Sequence, residues 1–136
     1  MQSTQVQPVA GIPPDLQLNE LIVELSYNCN ISCEMCGFGQ HPIDRNKFMS
    51  WKQFQSIIDG VGDRAKIVRL NGRGESTIHP QFSEMAAYVR QQLPEAQINL
   101  FSNLSFKSDR ILQTMHGCLC EKVVRIPKVS KIGMLL

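Results

Sequence analysis

Cys29, Cys33 and Cys36 form a C-x-x-x-C-x-x-C cluster directly after an apolar, strand-like run, Leu21 to Leu25. Three thiolates this close in sequence can hold one metal centre, and three is one fewer than a closed four-thiolate site needs. An iron–sulfur cluster tied at three corners keeps one iron open for a further ligand. That is the geometry of a reactive centre rather than of a purely structural one. The rival is zinc, with His41 completing a Cys3His set, although the spacing fits none of the common finger patterns. A disulfide is disfavoured. The chain shows no secretory signal, and neighbouring thiols of this kind point to metal or redox chemistry in a reducing compartment.

The rest of the chain narrows the setting. Its 136 residues suit one domain, and 43% hydrophobic content allows a buried core. A net charge of +2 gives no sign of nucleic-acid or membrane binding. No apolar run approaches the roughly 18 residues that a membrane span requires. The reading is a soluble, cytoplasmic protein without internal repeats. Residues 1–18, with Gln2, Gln5, Gln7, Pro8, Pro13 and Pro14, read as a flexible or extended arm, and residues 19–136 as the folded domain.

Strand and helix patterns alternate after the arm. Leu21 to Tyr27 reads as the first strand, followed by the cysteine-bearing loop. Ser50 is an N-cap candidate, with Gln53 completing a capping box. Trp51, Phe54, Ile57, Ile58 and Val61 share one helical face, and Gly60 and Gly62 supply a stop. Lys66 to Asn71 reads as the second strand, and His79-Pro80 as the start of a helix with Phe82, Met85, Ala86, Val89 and Leu93 inward. Ile98 to Phe101 is a third strand. Ser108 to about Cys118 is a third helix, with Ile111, Leu112 and Met115 inward, and Val123 to Ile126 is a fourth strand. Such alternation predicts an α/β fold of parallel βα units with right-handed crossovers. Ligands then bind beyond the C-terminal ends of the strands. The cysteine loop, Asn71-Gly72-Arg73-Gly74-Glu75 and Ser102-Asn103 all land on that rim.

The stretch E-L-S-Y-N-C-N-I-S-C-E-M-C resembles the signature of the radical S-adenosylmethionine (radical SAM) enzymes. The resemblance implies that Cys29, Cys33 and Cys36 bind a 4Fe–4S cluster whose fourth iron takes the amino and carboxylate groups of S-adenosylmethionine. Met35 fills the hydrophobic place before the last cysteine, and its backbone is implied to touch the adenine. Gly72, Gly74 and Glu75 resemble the family's G-G-E motif, which contacts the methionine amino group. Here Arg73 separates the glycines, and Ser76 stands where proline is common. Ser102 and Asn103 occupy the place of a T-N-G-like sequence, with ordinary turn chemistry as the alternative. Glycines let backbone carbonyls approach a ligand, and carbonyls or a carboxylate accept from an ammonium. Glu75 has a second reading, bracing its loop by accepting backbone hydrogen bonds.

The family fold is a partial (β/α)6 barrel. The resemblance covers about residues 20–124 and supplies strands one to four, so the expected architecture is a partial (β/α) barrel, truncated relative to that core. Arg125-Ile126-Pro127-Lys128 departs from the family, and Pro127 suits an edge. A fragment, or a product whose reading frame changes near residue 125, is the expectation, with self-association through an exposed edge strand. Glu24 and Arg69 are expected to form an ion pair between adjacent strands, the alternative being a wet barrel interior. Cys118 and Cys120 read as buried free thiols. His41, His79 and His116 lack ligand spacing, and His79 belongs to the helix start. Tyr27 is expected to pack around the cluster loop.

The implied activity is reductive cleavage of S-adenosylmethionine to a 5′-deoxyadenosyl radical for hydrogen abstraction from a substrate. It would be fed by a low-potential donor such as a flavodoxin or ferredoxin. The rival is a catalytically inactive iron–sulfur or zinc-binding fragment, or a partner-dependent subunit.

Overall fold

A computed structural model of the chain describes residues 13, 15–31, 33, 36, 47–105 and 108–116, and the backbone of 122–125. Met35, His41, Cys118, Cys120, Pro127 and most of the N-terminal arm lie outside the described residues. Four strands, β1 (Leu18–Ile22), β2 (Ala65–Arg69), β3 (Gln97–Ser102) and β4 (Lys122–Arg125), form one parallel sheet in the order β1-β2-β3-β4. Helices α1 (Trp51–Val61), α2 (Phe82–Gln92) and α3 (Asp109–Thr114) occupy the crossovers. Sequential order with right-handed crossovers puts successive helices on one face. The sheet is the open, barrel-like α/β arrangement expected.

Strand alternation sorts the side chains. Val23, Leu25, Val68, Leu70, Ile98 and Leu100 turn towards the helices and are buried with Phe54, Ile58, Phe82, Met85 and Val89. The opposite face carries Glu20, Arg69 and Phe101. There Arg69 pairs with Glu20 and lies over the Phe101 ring, 4.8 Å from its centroid. The expected Glu24–Arg69 pair is therefore not formed. Register explains this: Ile22 stands opposite Arg69, and Glu20, two residues back, points to the same face. Glu24 lies beyond the paired part of β1 and meets Arg73 instead.

β1 begins and ends earlier than the expected Leu21 to Tyr27. Val23 still donates to Arg69 O at 2.9 Å. Beyond it the chain leaves β2 and pairs with a returning segment. Met49 N donates to Leu25 O at 2.9 Å, Ser26 bridges Phe48 in antiparallel fashion, and Tyr27 N donates to Lys47 O at 2.9 Å. These contacts close the cysteine loop at its base.

α1 starts as its sequence predicts. Ser50 Oγ accepts from Gln53 N at 3.3 Å, and Gln53 Oε1 accepts from Ser50 N at 3.1 Å. Gly62, at φ 59°, ends the helix. Arg64 satisfies its last carbonyls, with Nε 2.8 Å from Val61 O and Nη2 2.6 Å from Gly60 O. The same guanidinium reaches Pro13 O at 2.8 Å. Trp51 and Tyr88 meet edge to face, and Tyr88 donates to Asp59 at 2.6 Å, joining α1 to α2.

α2 starts at Phe82, not at His79-Pro80, because a short 3-10 turn, Ser76–Ile78, intervenes. His79 closes that turn. Its Nδ1 accepts from Gln81 N at 3.0 Å, so Nε2 carries the proton and donates to Met49 O at 2.9 Å. In α3, Ile111 is buried and Met115 packs against the core as expected, whereas Leu112 is 48% exposed and Thr114 is buried beside Ile111. Thr114 Oγ1 donates to its own helix at Arg110 O and lies 2.7 Å from Ser83 Oγ on α2.

Ser50→Ala removes the side-chain half of the capping box, the bond from Gln53 N to Ser50 Oγ, and is expected to cost about 1 kcal/mol. Phe54→Ala empties a fully buried site and is expected to cost about 3–5 kcal/mol. Urea unfolding of both variants measures the two losses, and equal losses would contradict the packing described.

Candidate functional site

The three rim loops meet at Glu75. Its residue is 4% exposed, and both carboxylate oxygens are engaged. Oε1 accepts from Thr77 N at 3.1 Å, Thr77 Oγ1 at 2.7 Å and Ser102 Oγ at 2.8 Å. Oε2 accepts from Asn103 N at 2.8 Å. Its backbone N–H donates to Asn28 O at 2.8 Å. One side chain thus ties the loop after β2 to the loop after β3, while its own amide ties it to the cysteine loop. This is the bracing arrangement that the sequence left as a second reading.

Gly74 makes the junction possible. A Cβ there would fall 2.2 Å from Ser26 O and 2.7 Å from Asn28 O, both backbone atoms. Gly72 is crowded differently: its Cβ would meet Glu24 Cγ at 2.2 Å, a side chain able to swing away. Ser26 Oγ accepts from Asn28 N at 2.9 Å and shapes the turn into the cysteine loop.

Asn103 carries the junction to the cysteines. Its Oδ1 accepts from Ser105 N at 2.8 Å, an Asx turn. Its Nδ2 donates to Asn30 Oδ1 at 2.9 Å and lies 3.9 Å from Cys29 Sγ. Asn30 Nδ2 returns to Ser105 O at 2.8 Å. Leu104 follows with φ 54°, a left-handed conformation costing roughly 1–2 kcal/mol without glycine.

Cys29, Cys33 and Cys36 are half-buried free thiols, and Cys36 N donates to Cys33 O at 3.1 Å. Burial pushes the Cys29 thiol up, the backbone hydrogen bond from Ile31 pulls against it, and negative charge on Glu75, Cys33 and Cys36 adds to the rise. Cys33 and Cys36 therefore lie within electrostatic reach of Cys29. Among the described residues, no three His, Cys, Asp or Glu side chains converge on a point as a formed metal site. The donor set nevertheless suits a thiolate-bound iron–sulfur centre: soft sulfur ligands, partly withdrawn from water, with an amide donor beside one of them.

Glu24, Tyr27 and Arg73 form a second cluster on the rim. Arg73 N and Nε both donate to Glu24 Oε1, Nε at 3.3 Å, and Nη2 donates to Glu24 Oε2 at 3.3 Å and to the Tyr27 hydroxyl at 3.0 Å. The guanidinium also covers the Tyr27 ring at 4.8 Å. Glu24 and Tyr27 border a cavity of about 710 Å³, shared with Phe48, Met49, Lys52 and Gln53. Burial pulls the Glu24 carboxyl up, but the Arg73 hydrogen bonds and charge together outweigh it and hold the group below its usual range.

The structure joins Gly74, Glu75, Ser102, Asn103 and Cys29 in one network and sets Gly72 beside Glu24. Sequence reasoning missed Asn28, Asn30 and Thr77. The Asn residues flanking Cys29 are a readable turn signal, and Thr77 stands two residues after Glu75, where a carboxylate can accept from its backbone.

No protein-family model matches the chain. Over 74 residues it is 35% identical to the tungsten-containing aldehyde ferredoxin oxidoreductase cofactor-modifying protein of Pyrococcus furiosus, covering 53% of this chain and 20% of that protein. Its fold is similar to the crystal structure of BtrN in complex with AdoMet and 2-DOIA, with a TM-score of 0.74 at 17% identity, covering 88% of this chain and 50% of BtrN. It is also similar to the structure of BtrN in an open conformation, with a TM-score of 0.69 at 18% identity over 81% of this chain and 50% of that one. The chain spans half the length of BtrN and about a fifth of the Pyrococcus protein.

Gly74→Ala is expected to destabilise by about 1–3 kcal/mol because a backbone carbonyl cannot yield. Gly72→Ala is expected to cost less and to free Arg73 from Glu24. Urea midpoints of the two variants decide the order. The stability contributed by the Glu24–Arg73 contact is present above the ordinary carboxylate pKa and is lost as pH falls through the depressed value. Arg73→Met is expected to move the Glu24 titration upward in a carboxyl NMR experiment; an unmoved titration would contradict the clamp.

The chain thus carries, over most of its length, a fold shared with half of a protein crystallised with AdoMet, and it bears its cysteine loop on the rim of the parallel sheet.

Proposed function

We propose that this chain is a radical SAM protein, with Cys29, Cys33 and Cys36 as ligands of a 4Fe–4S cluster. The observation that carries the reading is the Glu75–Asn103 junction, which ties the cysteine loop to the loops after β2 and β3 at one end of parallel strands. The sequence similarity to a cofactor-modifying protein and the fold similarity to a protein crystallised with AdoMet support it. When bound, the cluster and S-adenosylmethionine supply a 5′-deoxyadenosyl radical for hydrogen abstraction from a substrate.

The chain's own residues bind and orient. The cysteines hold the iron. Gly72 and Gly74 let the backbone of their loop approach the methionine end of the cofactor, and Glu75 fixes that backbone in place. Ser102 and Asn103 hold the loop from the β3 side. Met35 belongs to the cofactor contacts by the family resemblance. A low-potential flavodoxin or ferredoxin is the electron donor that this chemistry requires.

The second reading is a partner-dependent subunit or a catalytically inactive iron–sulfur or zinc-binding fragment.

Anaerobic reconstitution with iron and sulfide, followed by dithionite reduction with S-adenosylmethionine, tests both readings. The proposal expects 5′-deoxyadenosine, falling to background in Cys29→Ala, Cys33→Ala and Cys36→Ala. Full iron content and cleavage in Cys33→Ala would overturn the ligand assignment. A cluster without cleavage would select the second reading, and tight zinc without iron would revive the Cys3His alternative.

A further inference from the structure

The geometry points to Asn103 as a positioning residue that aims one amide hydrogen at the Cys29 sulfur and thereby raises the reduction potential of the cluster held there. This rests on the proposed cluster assignment and goes beyond it, because it gives Asn103 a role distinct from cofactor contact.

The side chain has no other freedom. Its oxygen is held by Ser105 N at 2.8 Å, which fixes the side-chain rotation and orients the NH2 group towards the cysteine loop. The amide has two hydrogens. Asn30 Oδ1, at 2.9 Å, takes one. The other is directed at Cys29 Sγ, at 3.9 Å from the nitrogen. The residue is 9% exposed, so water competes little for that hydrogen.

The backbone is held to the same end. Asn103 N donates to buried Glu75, and Leu104 N donates to Ser102 Oγ at 3.0 Å. Leu104 keeps a left-handed φ of 54° without being glycine. Strain of this kind persists only where surrounding contacts over-determine it, and it clusters at functional sites. Hydrogen bonds to cluster sulfurs stabilise the electron-rich, reduced state and are among the controls on iron–sulfur potentials. The nearby Glu75 carboxylate acts in the opposite sense, by placing negative charge beside Cys29.

The test is a redox titration of the reconstituted cluster, followed by electron paramagnetic resonance, in the full chain and three variants. Asn103→Ala and Asn103→Asp both lose the donor, and each is expected to shift the potential to more negative values. Leu104→Gly relieves the strain, keeps the donor and is expected to leave the potential unchanged. Equal potentials in the parent, Asn103→Ala and Asn103→Asp would overturn the inference.

A second readout needs no cluster. In the metal-free chain, the Asn103 side-chain amide signals in a 1H–15N spectrum are expected to move in Cys29→Ala; unmoved signals would overturn the contact. That readout decides the case if the Asn103 variants fail to load iron. If the parent chain itself takes up no cluster, the functional proposal fails while the amide spectrum still judges the Asn103–Cys29 contact.

Discussion

A buried carboxylate with four donors holds the rim together. Withdrawing a charge from water is costly unless hydrogen bonds replace the lost solvation. Glu75 meets that condition with Thr77, Ser102 and Asn103. The donors come from two separate loops, and the Glu75 amide reaches a third, so charge satisfaction and loop placement are one event. Losing the carboxylate would strand several donors at once, which costs more than any single hydrogen bond contributes. Gly74 is the steric condition for this arrangement, since any side chain there would push the loop off the backbone of residues 26–28.

The sheet beneath explains why the loops come together at all. Parallel strands in sequential order bring every strand-to-helix loop to the same end. The helix-facing side is aliphatic and closely packed, and it anchors the strands. The other side is mixed, with Arg69, Glu20 and Phe101 in mutual contact. Parallel strands covered on both faces read as near-continuous apolar runs. Glu20, Glu24 and Arg69 break that run at alternating positions, as they do along the inside of a barrel.

Much of this was legible in the sequence because it rests on local rules. The capping box at Ser50, the stop at Gly62 and the apolar stripes of α1 and α2 follow from spacing and residue type alone. The cysteine spacing and the three rim loops were legible for the same reason. What escaped depends on register and on long-range partners. Pairing Arg69 with Glu20 instead of Glu24 requires knowing which residues of β1 stand opposite β2. The 3-10 turn before α2 forms because Glu75 caps it, and the position of His79 depends on Met49, thirty residues away. Leu112 is exposed while its neighbour Ile111 is buried, so the face that α3 turns inward is set by its packing against α2. None of these can be read from a window of neighbours.

Two groups that build the junction act on Cys29 in opposite senses. Burial and the charge on Glu75 disfavour a negative sulfur. The amide of Asn103 favours one. Glu75 holds Asn103 through its backbone, so the group that opposes charge on the sulfur also positions the group that supports it. A network of this kind couples structure to reactivity. A change that loosens the brace releases the negative charge and the donor together, whereas a change in the Asn103 side chain alone tips the balance and leaves the loops in place. The separation between holding a site together and tuning its electronics lies, in this chain, between two hydrogen bonds made by one asparagine.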